Sequence, residues 1–486
     1  MEANPDLCSL EQELSLKAGE LDAQRPVREQ QLVALTLRRI AEGVVTKEAE
    51  IEALIGATKG QCQNMLREIV TREILHSADG LLWCEEYVER AKCDQRVNVF
   101  TGTHWQHIEL QQWKDFVSLC AGRCGLPESQ RMNPGFMKLL YESVAFNLSV
   151  YRRQRIPDGE VWLNMHNGTL EVKSDGCVTL REHRKEDLFT YCLGYCYDGS
   201  AGCEQWQGFL DRVLPDPQAQ VLLAEFIGYC LMPGHCMEKM MLLYGEGLNG
   251  KSVTLEVVEA LLGSVNVSYL SLSDLTNDDV KRAGIEGKML NISHESGKDV
   301  NPNVLKQLTS GERVTIKNLY RDPRETNDYG KFMAAFNILP RAENSFGFFR
   351  RIIILHYQVT IPKSEIDRQL AVKLKSELSG ILNWVLQSLP GLMQRREFTT
   401  CESSERALEQ YRLQSDSVRL FIGEMCEPYD YTTDGTELYN AYKGYCVSSS
   451  LKSIGKYKFY DRLESLGYSR EKYGNVVRFK IKLSEV

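Results

Sequence analysis

Residues 240–252 read Met-Met-Leu-Leu-Tyr-Gly-Glu-Gly-Leu-Asn-Gly-Lys-Ser, an apolar run that leads into a glycine-rich turn. A helix-compatible stretch, 253–262, follows and is closed by Gly263. In this strand–turn–helix context, the spacing G-x-x-x-x-G-K-[ST] predicts a phosphate-binding loop. Glycines let backbone N–H groups approach phosphate oxygens, and the positive end of the helix adds to the attraction. The sequence therefore predicts that the protein binds a nucleoside triphosphate.

Two side chains of this loop have predicted chemical tasks. Lys251 is expected to reach the β- and γ-phosphates, and the Ser252 hydroxyl is expected to ligate Mg²⁺. The predicted cofactor-binding residues form one continuous run along the chain: Gly245, Glu246, Gly247, Leu248, Asn249, Gly250, Lys251 and Ser252.

The composition is that of an ordinary globular protein. The chain has 486 residues, of which 43% are hydrophobic and 26% are charged, and its length predicts about three domains. No apolar run approaches the roughly 18 residues that cross a bilayer, and the acidic first residues argue against a secretory signal. We therefore expect a cytoplasmic protein with no membrane contact.

The fifteen cysteines are scattered, which is typical of reduced thiols in a cytoplasmic protein. The closest spacings, within 120–124 and 192–203, lack the short pairs of a structural zinc site. Apolar packing is the predicted role of these thiols.

The charge is unevenly distributed along the chain. The whole chain carries a net charge of −8, yet residues 451–486 contain nine Lys and Arg against four acids. A basic end on an acidic chain fits a confined phosphate-contacting surface. A merely solvated face is the alternative.

Helical and strand periodicities divide the chain into four parts. Three helices and a hairpin over 74–84 predict either a winged helix or a plain helical unit for oligomerisation or linkage. Two strands are predicted around Asn167-Gly168, and the strands of the ATPase core are predicted at 240–244, 265–270, 288–293, 331–337 and 352–360. A charged stretch that ends at about residue 414 is predicted to be a connector. A final unit of three helices and a basic hairpin, after residue 415, predicts a winged helix more clearly. The predicted domains are an N-terminal helical or winged-helix-like region (1–100) and an α/β domain (101–237). They are followed by an ATPase core with a helical extension (238–400) and a DNA-binding, winged-helix-like domain (401–486).

Polar residues follow the apolar strands predicted after the loop. Glu295 follows the strand predicted at 288–293, after His294. A carboxylate at the end of a strand beside the loop can hold Mg²⁺ or orient the attacking water. Asn337 ends the next strand, at the same predicted edge of a parallel, doubly wound sheet. Arg350 and Arg351 precede the last strand and suit the nucleotide of an adjacent subunit, as arginine fingers do. The residues do not decide which of the two arginines reaches across.

The segment between these strands alternates like a β-hairpin over residues 312–328. Lys317, Arg321 and Arg324 are placed to contact a nucleic-acid backbone, with Tyr320 available for stacking. In the C-terminal unit, the predicted DNA contacts are those of the third helix and the hairpin: Lys456, Lys458, Arg462 and Arg478.

The order of these motifs resembles superfamily 3 helicases. It consists of the loop G-x-G-x-N-G-K-S, a strand ending in Glu, a hairpin, Asn337-Ile-Leu-Pro340, and Gly347-Phe-Phe-Arg-Arg. More narrowly, it resembles the phage and plasmid primase–helicase family related to the poxvirus primase–helicase. The resemblance is strong over 160–360 and looser over 410–486. It implies an α/β fold with a P-loop, AAA+-like parallel-sheet ATPase core, flanked by mainly α, winged-helix-like domains.

The resemblance also implies an activity, partners and a setting, which is the cytoplasm of a bacterium or of a virus-infected host cell. A ring of identical subunits, hexameric in such families, would use ATP and Mg²⁺ to move along single-stranded DNA and to act on duplex origin DNA with a primase or other replication proteins. Residues 1–235 lack the Asp-x-Asp pair of a primase, so we expect no priming activity. An ATPase that only assembles on DNA, without unwinding, is the alternative, whereas nothing resembles the acceptor site of a small-molecule kinase.

Overall fold

The computed structural model describes residues 21–54, 59–84, 97–148, 156–294, 300–319, 322–340, 345–449, 451, 453–474 and 476–484. Among these residues, the helices are α1 (Leu21–Glu42), α2 (Glu48–Glu52), α3 (Lys59–Ala78), α4 (Leu110–Cys124), α5 (Glu128–Arg131), α6 (Pro134–Phe146), α7 (Glu204–Val213), α8 (Pro217–Leu231), α9 (Lys251–Leu262), α10 (Leu272–Asn277), α11 (Asp279–Arg282), α12 (Pro302–Thr309), α13 (Phe346–Phe349), α14 (Leu370–Lys375), α15 (Leu378–Arg395), α16 (Glu402–Gln414), α17 (Ser417–Met425), α18 (Gly435–Ser448) and α19 (Lys456–Ser465).

The strands are β1 (Leu82–Cys84), β2 (Val97–Phe100), β3 (Trp105–His107), β4 (Glu160–Met165), β5 (Gly168–Lys173), β6 (Val178–Arg181), β7 (Met240–Tyr244), β8 (Val267–Ser268), β9 (Leu290–His294), β10 (Val314–Ile316), β11 (Arg324–Thr326), β12 (Lys331–Phe336), β13 (Ile352–His356), β14 (Cys426–Asp434), β15 (Arg470–Tyr473) and β16 (Val476–Leu483). Two compact units contain them: residues up to Cys203 together with Gln369–Pro390, and Glu204–Arg368 together with Gly391–Val486. In the described ranges, no helix is both long enough and apolar enough to span a membrane.

One hydrophobic core joins α1, α3, α4 and α6 in the first unit, and it runs from Val33 to Leu148. The predicted domain boundary at residue 100 falls inside this core. The hairpin predicted from Ile74 onward is wrong, because Ile74 and Ala78 are buried and extend the apolar face of α3 by one more turn. Strand β1 instead pairs with β2, and β3 completes a three-stranded antiparallel sheet.

The cysteines of this core behave as small apolar side chains. Cys120 and Cys124 are both fully buried, and burial raises the pKa of the Cys120 thiol to about 12. Both thiols are free, as is expected for cysteines that pack in a core.

A second antiparallel sheet, β4-β5-β6, follows in the same unit. The two strands predicted around Asn167-Gly168 are confirmed, and Met165 pairs with Gly168 across the tight turn. Arg181, on β6, forms ion pairs with Glu171 and the buried Asp187, which fix the sheet's outer strand.

The second unit contains a five-stranded sheet in the order β13-β7-β12-β9-β8. Every neighbouring pair is parallel, so the predicted parallel sheet and its five strands are confirmed. The strands β7, β9, β12 and β13 are buried along almost their whole length, as is typical of a sheet covered on both faces.

The charged stretch predicted as a connector before residue 414 is instead helix α16. Its residues Ala407 and Tyr411 are buried in the core that β7, β12 and β13 share. The Tyr411 hydroxyl donates to the Pro340 carbonyl oxygen at 2.5 Å. The apolar residues that make this contact recur only once per helical turn among charged residues. The stripe they form is too narrow to indicate a packed helix from the sequence.

The C-terminal elements run in the order α17, β14, α18, α19, β15 and β16, and a core of their own holds them together. This is the order of a winged helix, and the predicted helices and hairpin are confirmed. Strand β14 was not predicted, and it pairs with β16 through an irregular register between Pro428 and Thr433. Proline is tolerated on such an edge strand, although it weakens the sequence pattern.

Candidate functional site

The loop between β7 and α9 has a conformation that requires glycine. Gly250 has a φ of 88°, and a Cβ there would lie 2.9 Å from Val213 Cγ1 and 3.0 Å from the Phe209 ring. A Cβ on Gly245 would overlap the carbonyl oxygen of Tyr357. These two glycines therefore let the chain turn tightly where neighbouring atoms leave no room for side chains.

Lys251 is the first residue of α9, and its side chain folds back over the loop. Its Nζ atom donates to the Gly245 carbonyl oxygen at 2.5 Å and to Asn249 Oδ1 at 3.0 Å. Only 6% of the residue is exposed, and burial lowers the pKa of the ammonium group. A partly desolvated cation that is surrounded by neutral acceptors attracts an anion more strongly than an ammonium in water does.

Asn337 reaches the same point from the neighbouring strand. In the parallel registers, Phe336 pairs with Tyr244 and Ala335 pairs with His294, so the strands end at one edge of the sheet. Asn337 Oδ1 accepts a hydrogen bond from Lys251 Nζ at 3.2 Å. The structure thus brings together these two predicted site residues, which are 86 positions apart.

The other predicted loop residues differ in exposure. Ser252, Glu246, Gly247 and Leu248 are exposed, whereas Asn249 is buried. The predicted metal ligand Glu295 lies outside the described residues, directly after His294, the last residue of β9. Its role at this edge of the sheet stays a prediction.

Arg350 and Arg351 lie at the opposite end of the sheet. They precede β13, in which Ile352 pairs with Met240 at the start of β7. Five residues of strand, which is about 16 Å, separate that end from the loop. The predicted action of these arginines on the nucleotide of an adjacent subunit stays a prediction.

The two arginines have different surroundings. Arg351 is 12% exposed at its side chain, donates to Ser310 Oγ at 2.9 Å and to the Gly347 carbonyl oxygen at 2.6 Å, and its pKa is lowered by burial. Arg350 is 44% exposed and forms an ion pair with Glu238 at 2.8 Å. Arg350 can therefore reach out to another molecule, whereas Arg351 fixes α12 and α13 to the start of β13.

The predicted hairpin is formed by β10 and β11, in which Ile316 pairs with Arg324. Arg324 is held by Glu286, and one of its two guanidinium bonds measures 2.6 Å. The Lys317 backbone N–H donates to the Asp279 carbonyl oxygen at 2.9 Å, and its side chain is partly exposed. Arg321 and Tyr320 lie outside the described residues, so their predicted contacts with DNA stay predictions.

The base of this hairpin contains a half-buried histidine. His235 Nε2 lies 2.8 Å from the Gly330 carbonyl oxygen, and its ring is 5.0 Å from the Tyr329 ring. Burial first, and then the nearby Lys331, lower the pKa of His235 to about 4. Lys331 is itself fully buried, over the Tyr229 ring at 4.8 Å, and burial lowers its pKa to about 8.

Acid is therefore expected to destabilise the unit that contains His235. Between about pH 6.5 and 4, the unfolded chain binds a proton at this ring that the folded chain does not, so stability is lost as the pH falls. The free energy of unfolding should drop by roughly 2 kcal/mol from this group between pH 7 and pH 5. Urea unfolding at both pH values measures the drop. His235→Gln, which keeps a donor for Gly330, should reduce it, and the exposed His107→Gln should not.

In the C-terminal unit, Arg462 is already paired. Its Nε atom donates at 2.8 Å to Asp416, which is 2% exposed and also caps α17. The structure therefore gives Arg462 a contact that joins two helices. Lys456 bonds to Thr436 Oγ1 at 3.0 Å, and Lys458 is exposed beside Tyr457, which is 79% exposed.

The outer face of the C-terminal sheet is balanced in charge. Arg478, Lys480 and Lys482 alternate along the outer face of β16. Lys480 pairs with Glu471 at 3.5 Å, Lys482 pairs with Glu427 at 3.4 Å, and Arg478 lies opposite Asp434 and Glu471. The basic character predicted for the hairpin is thus largely compensated, and the first turn of α19 offers the better-placed cations.

Sequence reasoning missed several residues that the fold brings to the site. Tyr357 bonds to the loop and to α9, while Glu238 and Lys239 hold the Arg350 segment. None of them belongs to a recognisable spacing. The apolar strand that ends before Tyr357 is the one signal that placed this residue at the edge of the sheet.

The chain is similar to two protein families and to a viral protein. Residues 81–215 match the family described as D5 N terminal like, and residues 243–351 match a family of unknown function, DUF5906. The protein L207/L206 of Acanthamoeba polyphaga mimivirus, which is named as a helicase, is 21% identical over 325 residues. That alignment covers 60% of this chain and 33% of the relative, so the chain spans about a third of the viral protein.

Solved structures of the C-terminal region of NrS-1 are similar to most of this chain at low identity. One superposes with a TM-score of 0.46 at 10% identity, covering 80% of this chain and 94% of that chain. A second superposes with a TM-score of 0.45, also at 10% identity, covering 85% and 98%.

These findings define a mixed α/β protein with a five-stranded parallel sheet and helical flanks, in which a D5 N-terminal-like region precedes the sheet. Together with the viral relative, the two family matches support the resemblance to phage-type primase–helicases.

Proposed function

We propose that the protein is an ATP-driven DNA helicase that acts in the replication of a phage, plasmid or integrated element. The observation that carries the proposal is the meeting of Lys251 and Asn337 at the end of the glycine loop, where the Nζ–Oδ1 distance is 3.2 Å. A cation and an amide that converge on one point, at the N-terminus of a helix, suit the terminal phosphate of a nucleotide. The helicase name of the viral relative supports the choice of activity.

The residues of this chain fit ATP with Mg²⁺. Gly245 and Gly250 allow a tight loop that a Cβ on either residue would prevent, and the exposed Ser252 lies on the first turn of α9. Lys251 and Ser252 would hold the phosphates and the metal ion, with Glu295 as the further metal ligand that the sequence predicts. Mg²⁺ would supply neutralisation of the phosphate charge.

Ring assembly from identical subunits follows from the same proposal. Arg350 lies at the far end of the sheet from its own loop, exposed and beside Lys239, whose Nζ atom donates to the Arg350 carbonyl oxygen at 2.6 Å. An arginine in this position would serve a neighbouring copy. Ile338 and Phe346, which are 85% and 77% exposed, lie in the connection between β12 and β13 that also contains Arg350. Large apolar side chains that are exposed in this way suit a surface that a second subunit covers.

Unwinding of a forked duplex tests the helicase proposal directly. The protein with ATP and Mg²⁺ should release a labelled strand, and Lys251→Ala should release none. ATP hydrolysis and DNA binding without strand release would favour the alternative function, a protein that assembles on DNA without unwinding it.

The hairpin should grip single-stranded DNA during this reaction. Replacing Lys317, Arg321 and Arg324 with alanine should remove DNA-stimulated hydrolysis and unwinding. The number of counterions released on single-strand binding, measured from the slope of log K against log salt concentration, should fall by about three at most. DNA-independent hydrolysis should remain, as should all activities of Lys138→Ala, an exposed lysine on α6. Glu286→Gln removes the ion pair between Glu286 and Arg324 but keeps the hairpin's cations, so it separates loss of charge from loss of this ion pair. Unchanged stimulation in the triple variant would contradict a DNA-gripping hairpin.

A further inference from the structure

Tyr357 is a buried tyrosine that contacts the glycine loop from two sides. It directly follows β13 and is 1% exposed. Its carbonyl oxygen accepts a hydrogen bond from Asn249 Nδ2 at 3.2 Å, and its backbone N–H donates to the Tyr244 carbonyl oxygen at 2.7 Å. The Tyr357 backbone therefore holds both the start of the loop and its buried asparagine.

The Tyr357 side chain reaches the other end of the loop through Thr254. The phenol donates to Thr254 Oγ1 at 3.1 Å, and Thr254 Oγ1 donates in turn to the Gly250 carbonyl oxygen at 3.1 Å. Burial raises the pKa of the phenol, so it stays a donor at neutral pH. This chain of two bonds ends on the glycine whose φ of 88° shapes the turn before Lys251.

A third contact comes from the same segment of chain. The Ile361 N–H donates to the carbonyl oxygen of Leu248 at 2.7 Å, and Leu248 is a non-glycine residue with a φ of 56°. A non-glycine residue in the left-handed region costs free energy, and it persists where surrounding contacts hold it. Residues 357–361 thus contact the start, the middle and the end of the loop.

We propose that Tyr357 is a positioning residue for the phosphate-binding loop: its hydroxyl, acting through Thr254, holds residues 245–250 in the conformation that receives the nucleotide phosphates. The proposal rests on the proposed function and adds a residue that the loop motif does not contain. Preorganised backbone donors bind an anion without first having to be ordered. The hydroxyl is therefore expected to contribute mainly to ATP affinity and less to the chemical step.

Substitutions can isolate the hydroxyl because the ring itself can be kept. Tyr357→Phe should weaken ATP binding about fivefold, which is the scale of one lost neutral hydrogen bond. Thr254→Val should weaken it more, about tenfold, since it leaves the buried phenol without its acceptor and also removes the side-chain hydrogen bond to the Gly250 carbonyl oxygen, which keeps only the Thr254 backbone N–H as a donor. Thr254→Ser keeps the hydroxyl and should bind ATP as the wild type does. The double variant Tyr357→Phe with Thr254→Val should bind no more weakly than Thr254→Val alone, because the two residues act in one chain of bonds.

Fluorescent-ATP titration of the full chain, together with steady-state hydrolysis and thermal unfolding, measures these effects. Tyr442→Phe is the matched control, since Tyr442 is a buried tyrosine whose hydroxyl lies 2.8 Å from Ser417 Oγ in the C-terminal unit. KM should rise more than kcat falls in Tyr357→Phe, and the control should change neither. Unchanged ATP affinity in Tyr357→Phe, or equal losses in the control, would overturn the proposal while the wild type still binds and hydrolyses ATP. A wild type that neither binds nor hydrolyses ATP would instead overturn the proposed function and this inference with it.

Discussion

Lys251→Ala is expected to reduce ATP hydrolysis by at least a hundredfold. In the wild type, the ammonium group is nearly buried and is surrounded by the oxygen atoms of Gly245, Asn249 and Asn337. A charge contact in such a place stabilises developing phosphate charge by several kcal/mol, and each 1.36 kcal/mol is about a tenfold change in rate. Steady-state phosphate release, with and without single-stranded DNA, measures the loss.

Two variants sharpen this measurement. Lys251→Arg keeps the charge but not the compact shape of the ammonium group, so it should remain strongly impaired. Lys138→Ala removes an exposed lysine of α6 and should hydrolyse ATP as the wild type does. Hydrolysis by Lys251→Ala within about threefold of the wild type would show that the glycine loop does not bind the reacting phosphates.

Arg350→Ala is expected to reduce hydrolysis by about a thousandfold while leaving ATP binding largely intact, which is the scale of a lost arginine finger. Its side chain is 44% exposed and forms one ion pair with Glu238, so its removal should leave the fold unchanged. Arg351→Ala should behave differently, because that side chain is 12% exposed and bonds to Ser310 and Gly347. We expect Arg351→Ala to lower the free energy of unfolding by about 1–3 kcal/mol.

Mixing experiments decide whether Arg350 acts on a neighbouring subunit. Arg350→Ala supplies an intact loop, and Glu295→Gln supplies an intact arginine. Mixed rings should therefore regain part of the activity at interfaces where the intact loop site of one subunit meets the intact Arg350 of its neighbour. A mixture that forms rings but regains no activity at any ratio would contradict action in trans. Thermal unfolding of both arginine variants shows whether lost activity reflects lost structure.

Short-range patterns account for the predictions that the structure confirms. The strand–loop–helix around residues 240–262 depends on an apolar run and two glycines, which are local properties. The five strands of the parallel sheet were likewise visible as separate apolar runs. The end of α3 at Ala78 and the helix α16 were misread because burial by distant parts of the chain overrode weak local signals.

The sequence by itself determined that a glycine-rich loop, an acidic residue after one apolar strand and an asparagine after the next occur in a fixed order. It also determined the winged-helix elements at the C-terminus, because helix and hairpin periodicities are local. Only the tertiary structure decided which side chains meet. It placed Asn337 in hydrogen-bonding contact with Lys251 and formed an ion pair between Arg462 and Asp416. It also left Arg350 exposed while it buried most of the Arg351 side chain. It also enclosed the loop with Tyr357, since strand order and side-chain burial depend on contacts between residues that are far apart in the chain.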